Sequence, residues 1–318
     1  MINFLINTSD EYSIYAGVML MSLFENNKKH KFRVFVFSTS ITDIHFNKIK
    51  DLSKKYRNEV FLVKVDSKIL ESLPIKFSYH SINVYLRVLA SDFLPKDIHK
   101  FIYMDCDIII NGDIGELWDT DVEDVALAAT KDLPRFTPLY RENLSLGENG
   151  DYFNSGVMVV NADYWRKNNV ALAVLKFAED NPDKIIACDQ DAMNSVLKGK
   201  FKLISRKWNV YPDVFFENPD LFKEEYKELE EIREHPIIIH FLYIKAWFKE
   251  CRHPYKWLFK EYYEKYTNSS FVPMICKPLN LFQRFKSMIK HLLYILHLKY
   301  AYNTYDKKFV KGLDRFPS

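Results

Sequence analysis

Short apolar runs alternate with amphipathic stretches over most of this chain, and that alternation limits the folds open to it. Phe4–Ile6, Arg33–Phe37, Val60–Val65, Phe101–Met104, Val125–Ala129, Val157–Val160 and Ile237–Ile239 read as strands buried on both faces. Between them, helical periodicity is centred on residues 12–24, 41–56, 83–92, 171–180 and 189–198. Strands alternating with helices predict an α/β fold with a mostly parallel central sheet. With 318 residues, 48% of them hydrophobic, the chain has ample material for a large core. We expect a catalytic-size domain over residues 1–266, a linker at Thr267–Ser270, and a separate C-terminal tail to residue 318.

Two segments break the pattern. Leu133–Asp151 is poor in periodicity and carries Pro134, Pro138, Gly147 and Gly150, which predicts a long loop of the lid or binding type. The tail from residue 272 holds nine Lys and Arg against two Asp, while the rest of the chain is mildly acidic. Phe282, Phe285, Ile289, Leu292, Leu293 and Leu296 fall on one helical face there, with Arg284, Lys286 and Lys290 off it. A basic amphipathic helix of this kind either lies on an anionic membrane surface or packs its apolar face on protein. No run approaches the roughly 18 apolar residues of a spanning helix, and Met1–Asn7 reads as a strand, with no basic leader of the kind a secretory signal carries. The four cysteines show no C-x-x-C spacing, which argues against a zinc ribbon and fits a reducing compartment. These features lead us to expect a cytoplasmic protein, peripheral on the inner face of the plasma membrane.

The strongest local signal is Phe101-Ile102-Tyr103-Met104-Asp105-Cys106-Asp107-Ile108-Ile109-Ile110. Ligands of open α/β sheets bind beyond the carboxyl ends of the strands. Two carboxylates converging there repel one another unless a cation lies between them, and oxygen donors suit Mg²⁺ or Mn²⁺. The triplet alone is weak, because Asp119-Thr120-Asp121 and Asp189-Gln190-Asp191 share its spacing. His240 closes the apolar run Ile237–Ile239. It is either a core-edge histidine or a third metal ligand, and an imidazole would tilt the preference toward Mn²⁺. Lys245 is a phosphate contact or an ordinary surface lysine. Asp189-Gln190-Asp191 opens a predicted helix stopped at Gly199. Asp189 is then an N-cap, or it holds sugar hydroxyls with Gln190. The chain has no G-x-G phosphate cradle, no P-loop, no G-x-S-x-G elbow, no H-E-x-x-H and no nucleic-acid module.

Taken in order, these motifs resemble retaining glycosyltransferase family 8, and within it the bacterial lipooligosaccharide/lipopolysaccharide galactosyltransferase branch. The resemblance covers roughly residues 1–260. It rests on Tyr85-Leu86-Arg87, Asp105-Cys106-Asp107 followed by Leu117–Asp121, Tyr152-Phe153-Asn154-Ser155-Gly156-Val157, Asp189-Gln190-Asp191 and His240-Phe241. Two places depart from the family's usual wording: Ser9-Asp10-Glu11-Tyr12 lacks the asparagine of the nucleotide loop, and Tyr243 stands where the closing motif has glycine.

The resemblance implies a GT-A type, Rossmann-like domain that uses UDP-galactose or UDP-glucose and Mn²⁺ (Mg²⁺ as the alternative ion). It implies Asp105, Asp107 and His240 as metal ligands. It places Thr8, Asp10, Tyr12, Arg87, Cys106, Asn154 and Lys245 around the donor, Asn154, Asp189 and Gln190 at the donor sugar, and His80 and Asp132 toward a saccharide acceptor, itself lipid-linked. Retention usually calls for a carboxylate nucleophile. The matching position is Gln190, a poor nucleophile, so we expect front-face attack by the acceptor hydroxyl. The competing readings are a metal-dependent nucleotide-sugar hydrolase or nucleotidyltransferase, and a catalytically altered nucleotide-sugar-binding protein.

Overall fold

The computed structural model describes residues 1–74, 82–132, 137–147, 150–216, 226–242 and 244–275. Nine strands occur among them: β1 (Ile2–Asn7), β2 (Phe32–Ser38), β3 (Glu59–Lys64), β4 (Lys100–Met104), β5 (Ile108–Ile110), β6 (Leu127–Lys131), β7 (Phe153–Asn161), β8 (Phe201–Ile204) and β9 (Ile238–His240). Seven of them form one sheet in the order β3-β2-β1-β4-β7-β6-β8. All of its pairings are parallel except the two made by β7, which runs against β4 and β6. The expected mostly parallel sheet is therefore present. The described residues fall into two compact units, one of Met1–Val210 with Pro236–His240, the other of Tyr211–His235 with the chain beyond His240.

In the first unit the central strands β1, β2, β4, β6 and β7 bury both faces, as their unbroken apolar runs require. By contrast β3, expected from Val60–Val65 to be a buried strand, is a partly exposed edge strand because only one neighbour pairs with it. Phe4, Phe24 and Phe32 meet on one side of the sheet. Leu5, Phe35, Phe101, Tyr103 and Met158 join Trp165, Val174 and Met193 in a core on the other. Each fully buried side chain of this size contributes roughly 2 kcal/mol. The helix Ser13–Asn26 is apolar almost all round and is buried from Ala16 to Phe24. Its few polar groups act on β5: Ser22 Oγ accepts from Ile110 N at 3.0 Å, and Asn26 Nδ2 donates to Ile110 O at 2.9 Å. The free edge of that three-residue strand is thereby satisfied, while its other edge pairs with β9, Ile108 opposite His240.

Two expectations change. The helical pattern at 83–92 is a 3-10 turn, Ile82–Arg87, followed by a short helix, Ala90–Phe93. Arg87 Nε donates to Val84 O there, and the tight turn aims the arginine inward instead of continuing a regular helix. The Leu133–Asp151 segment contains a helix, Thr137–Asn143, and Tyr140 stacks on Tyr152 with ring centroids 4.7 Å apart. Two strands escaped sequence reading. β8 is a half-buried edge strand, and β5 is only three residues long, so neither carries a distinctive period.

In the second unit, Phe215, Phe241, His253 and Tyr255 form a ring cluster that continues through Phe259 and Phe271. The helix Lys256–Thr267 ends at Asn268, which adopts the left-handed conformation common at helix C-termini. Among the described residues no helix is long and apolar enough to cross a membrane.

Candidate functional site

The parallel strands end where polarity begins. Directly after β4, Asp105 N donates to Gly156 O at 2.9 Å, so the end of β4 and the start of β7 lie side by side. Asp107 follows at the entry to β5, and β5 places Ile108 opposite His240. Three ligand atoms, one each from Asp105, Asp107 and His240, all lie within 4.8 Å of one another. His240 Nε2 is 3.2 Å from Asp107 Oδ1 and 3.9 Å from Asp105 Oδ2, and the ring is only 1% exposed.

Whether this trio suits a cation is decided by the other imidazole nitrogen. His240 Nδ1 is 2.8 Å from Asn209 Oδ1, and an amide oxygen only accepts. Nδ1 is therefore a donor, and Nε2 is the nitrogen turned toward the two carboxylates, where it can serve as a ligand. Three electron-rich atoms facing one point need a positive charge between them. Two oxygens and one imidazole nitrogen suit Mn²⁺ better than Mg²⁺. The backbone leaves room as well. A Cβ at Gly156 would overlap His240 Cε1 and come within 3.0 Å of Asp105 Oδ2, so this position tolerates nothing larger than hydrogen.

Around the trio lies a buried polar lattice. Arg87 Nη1 donates to Asp105 Oδ1 at 2.9 Å and to Ser155 O at 3.0 Å. Tyr103 donates its hydroxyl to the same Asp105 oxygen at 2.6 Å, and the guanidinium lies over the Tyr103 ring. Arg87 Nε is 2.9 Å from Asp189 Oδ2 while its N–H is aimed at Val84 O, so the Asp189 contact is Coulombic and not a hydrogen bond. Burial opposes the charge on Arg87, but Asp105 and then Asp189 outweigh it and raise its pKa. Burial likewise pushes the Asp189 carboxyl up to about 7, against the pull of Arg87 and with the help of Asp105.

Gln190 is tied at both ends. Its Oε1 accepts from Ser155 N at 2.9 Å, and its Nε2 donates to Asp132 Oδ2 at 2.9 Å and to Tyr152 Oη at 3.1 Å. Asn154 Nδ2 donates to the other Asp132 oxygen at 3.1 Å. Asp191, by contrast, accepts from Ile186 N, Ala187 N and the Tyr152 hydroxyl, each at 2.6 Å, and serves the local fold. Cys188, not Asp189, occupies the N-cap position of the helix Asp189–Val196, and it makes no side-chain cap hydrogen bond. Cys188 sits at φ 53° and ψ −127°, a conformation costly for a side-chain-bearing residue. That backbone turn delivers Asp189 and Gln190 to the lattice.

The nucleotide-loop candidates sit at the end of β1. Thr8 is buried, and Thr8 N donates to Phe37 O. Asp10 Oδ1 accepts from Thr42 N and lies 2.8 Å from His45 Nδ1; these two contacts, the Thr42 amide first, hold its pKa down to about 2. Tyr12 precedes the helix Ser13–Asn26, and its ring is 42% exposed. Cys106 Sγ donates to Asn7 O at 3.0 Å, which ties the D-x-D segment to the end of β1, and burial pushes its thiol pKa well up. Lys245 belongs to the second unit and is half-buried. His80, Tyr243 and the amphipathic tail lie outside the described residues. Of the three D-x-D triplets, Asp119-Thr120-Asp121 stays at the surface, where Asp121 Oδ1 accepts from Glu123 N.

A profile of glycosyl transferase family 8 matches residues 3–251. The chain belongs to glycosyltransferase family 8. General stress protein A of Bacillus subtilis is 29% identical over 254 residues, covering 78% of this chain and 87% of that one. A lipopolysaccharide 1,2-glucosyltransferase of Escherichia coli is 26% identical over 310 residues, covering 96% and 86%. The crystal structure of the galactosyltransferase LgtC in complex with donor and acceptor sugar analogues superimposes with a TM-score of 0.74 at 20% identity, covering 90% of this chain and all of that one. The fold of this family 8 chain is thus of the GT-A type, as its motifs imply. Sequence reading of this glycosyltransferase missed Asn209, Tyr103 and Ser155 as site residues. Tyr103 reads as one more apolar position of β4, Ser155 is a spacer within a motif, and Asn209 follows a tryptophan in a stretch without any motif.

Proposed function

We propose that this glycosyltransferase moves galactose or glucose from a UDP-sugar to a saccharide acceptor, with retention at the anomeric carbon. The observation that carries the reading is the convergence of Asp105, at the end of β4, with Asp107 and His240, at the paired strands β5 and β9. Those three residues would hold Mn²⁺. When bound there, a divalent cation supplies charge neutralisation to a departing diphosphate. Support for a hexosyl donor comes from the lipopolysaccharide 1,2-glucosyltransferase and 1,3-galactosyltransferase relatives.

The chain's own residues fit the rest of the task. Arg87 fixes Asp105 and stays charged in a buried place, so the acid cannot swing away when the site empties. Tyr12 offers an exposed ring for stacking on a base, and Thr8 with Asp10 shapes the loop before it. Lys245, assigned to the diphosphate by the resemblance of its motif, belongs to the second unit. By the same resemblance Asn154, Asp189 and Gln190 are assigned to the donor sugar and Asp132 to the acceptor side, with His80, which lies outside the described residues, assigned there too. Gln190 is an amide with both ends engaged by Ser155, Asp132 and Tyr152, so a covalent glycosyl-enzyme through it has no chemical basis. Front-face attack remains, in which the departing phosphate oxygen takes the acceptor proton and the Gln190 carbonyl dipole stabilises positive charge on the sugar. The acceptor in this reading is a lipid-linked glycan, reached at the cytoplasmic membrane surface through the basic tail.

The test is a panel of UDP-, GDP- and CMP-sugars with Mn²⁺, followed by NMR of the anomeric proton. Turnover of UDP-galactose or UDP-glucose, with retained configuration in the product, is expected. Consumption of none of the UDP-sugars, or of a GDP- or CMP-sugar alone, would reject the reading. Run with anionic vesicles, the same protein should co-sediment with them; failure to do so removes the tail from the proposal.

A further inference from the structure

Asn209 lies outside every motif that marks the site, yet it is fully buried beside a metal-ligand candidate. Its place is set by backbone pairing. Val210 N donates to Ile238 O and His240 N donates to Val210 O, an isolated parallel bridge that follows the 3-10 turn Arg206–Trp208 and holds the residue before Val210 beside β9. Asn209 Oδ1 then meets His240 Nδ1 at 2.8 Å, and Asn209 Nδ2 donates to Asn154 Oδ1 at 2.9 Å. Asn154 Nδ2 in turn donates to Asp132 Oδ1.

The direction of every donor in this chain of side chains is determined. A carboxylate only accepts, so Asn154 must turn its amino group to Asp132. Gly156 N, which only donates, reaches Asn154 Oδ1 at 2.9 Å and fixes the same orientation independently. The Asn154 oxygen therefore faces the Asn209 amino group, and the Asn209 oxygen faces His240. Nδ1 thus carries a proton, and Nε2 is the nitrogen that faces Asp105 and Asp107. The same Asp132 holds the Gln190 amino group on its second oxygen, and Ser155 N fixes the Gln190 oxygen. One buried carboxylate thus orients an imidazole three side chains away and a carboxamide next to it.

We propose that Asn209 is a positioning residue that locks His240 in its metal-binding tautomer and couples the cation-holding trio, through Asn154 and Asp132, to Gln190. The inference rests on the reading that Asp105, Asp107 and His240 hold a divalent ion. Groups that orient a metal-bound imidazole through its second nitrogen typically affect metal affinity by about 10- to 100-fold.

Two substitutions separate positioning from packing. N209L keeps the volume but offers His240 no acceptor. N209D keeps an acceptor for Nδ1–H, but sets a second carboxylate oxygen against Asn154 Oδ1 in place of the donor and adds a negative charge beside the imidazole. Mn²⁺ affinity is measured by electron paramagnetic resonance titration of the full-length protein, with and without UDP, alongside thermal melts of the metal-free forms. N209L is expected to weaken Mn²⁺ about 10- to 100-fold. N209D should hold it within about threefold of wild type, since the imidazole keeps its partner, while its kcat falls more than its KM for the donor changes. N209L binding Mn²⁺ as wild type overturns the proposal. Equal losses in both variants overturn it too, since they would make the residue a filler of space. Wild-type protein that binds no Mn²⁺ overturns the metal reading and this inference with it, an outcome distinct from the other two.

Discussion

His240 and His253 are both buried, stand close in the chain and each have a phenylalanine for a neighbour, yet their surroundings assign them opposite chemistry. His240, in the first unit, donates from Nδ1 to Asn209 and turns Nε2 toward Asp105 and Asp107. His253, in the second, accepts at Nδ1 from Tyr255 N, and its ring is enclosed by Phe215, Phe241 and Tyr255. Its Nε2 is buried with no hydrogen-bond partner among the described residues. Burial alone pushes the His253 imidazole down to about 3, so it remains neutral at any physiological pH. The lesson is that burial does not make a histidine functional. What matters is whether its second nitrogen faces carboxylates or hydrocarbon.

The sharpest way to break the contrast is to remove each ring. H240A should abolish Mn²⁺ binding and lower kcat/KM on the order of 10³-fold, because several kcal/mol of charge stabilisation go with the ion. H253F should stay within about threefold of wild type, as the ring's place in an apolar cluster has no catalytic demand on it. Steady-state kinetics with a UDP-sugar decides; comparable losses in both variants would erase the distinction.

A milder probe displaces His240 without deleting it. G156A adds one methyl group against His240 Cε1 and Asp105 Oδ2. Shifting a catalytic group by about 1 Å can cost on the order of 10²-fold, and overpacking costs about 1–3 kcal/mol of stability. Kinetics and thermal melts measure the two effects separately, and an unchanged kcat/KM would mean that the trio tolerates displacement.

The smallest effect concerns pH and only His253. Its folded pKa lies below the unfolded value of about 6.5, so the unfolded chain takes up a proton that the folded chain refuses. The stability it contributes is intact above about pH 6.5 and is lost as the pH falls toward 3; at pH 5 the loss is about 2 kcal/mol. At pH 7, H253F loses the acceptor to Tyr255 N but also removes the buried, unpartnered Nε2–H, opposing effects of about 1 kcal/mol each, so its stability should stay near that of wild type. It should also lose less between pH 7 and pH 5. Denaturant melts at the two pH values check this, and parallel slopes would refute it.

Much of this could be read in the chain before any coordinates. The apolar runs located β1 to β4, β6, β7 and β9 within a few residues; all but the partly exposed edge strand β3 are largely buried, and strands buried on both faces cannot tolerate polar interruptions. Asp105 and Asp107 stood out because acids rarely sit between two such runs. The helical pattern at 83–92 misled because Arg87, a buried charge, reorganises the turn that carries it. Asp189 read as a cap, whereas the cap position is held by Cys188 in a left-handed conformation that no local pattern announces.

The residue types and their order along the chain determined the fold class, the D-x-D acids and the family to which the protein belongs, for these depend on local period and on motif order. Only the tertiary structure decided that Asn209 faces His240, that Asp132 anchors two amides at once, and that His240 rather than His253 joins the acids. Such contacts link positions far apart in sequence, and the direction of a hydrogen bond between amides is fixed by neighbours that the chain brings together only when it folds.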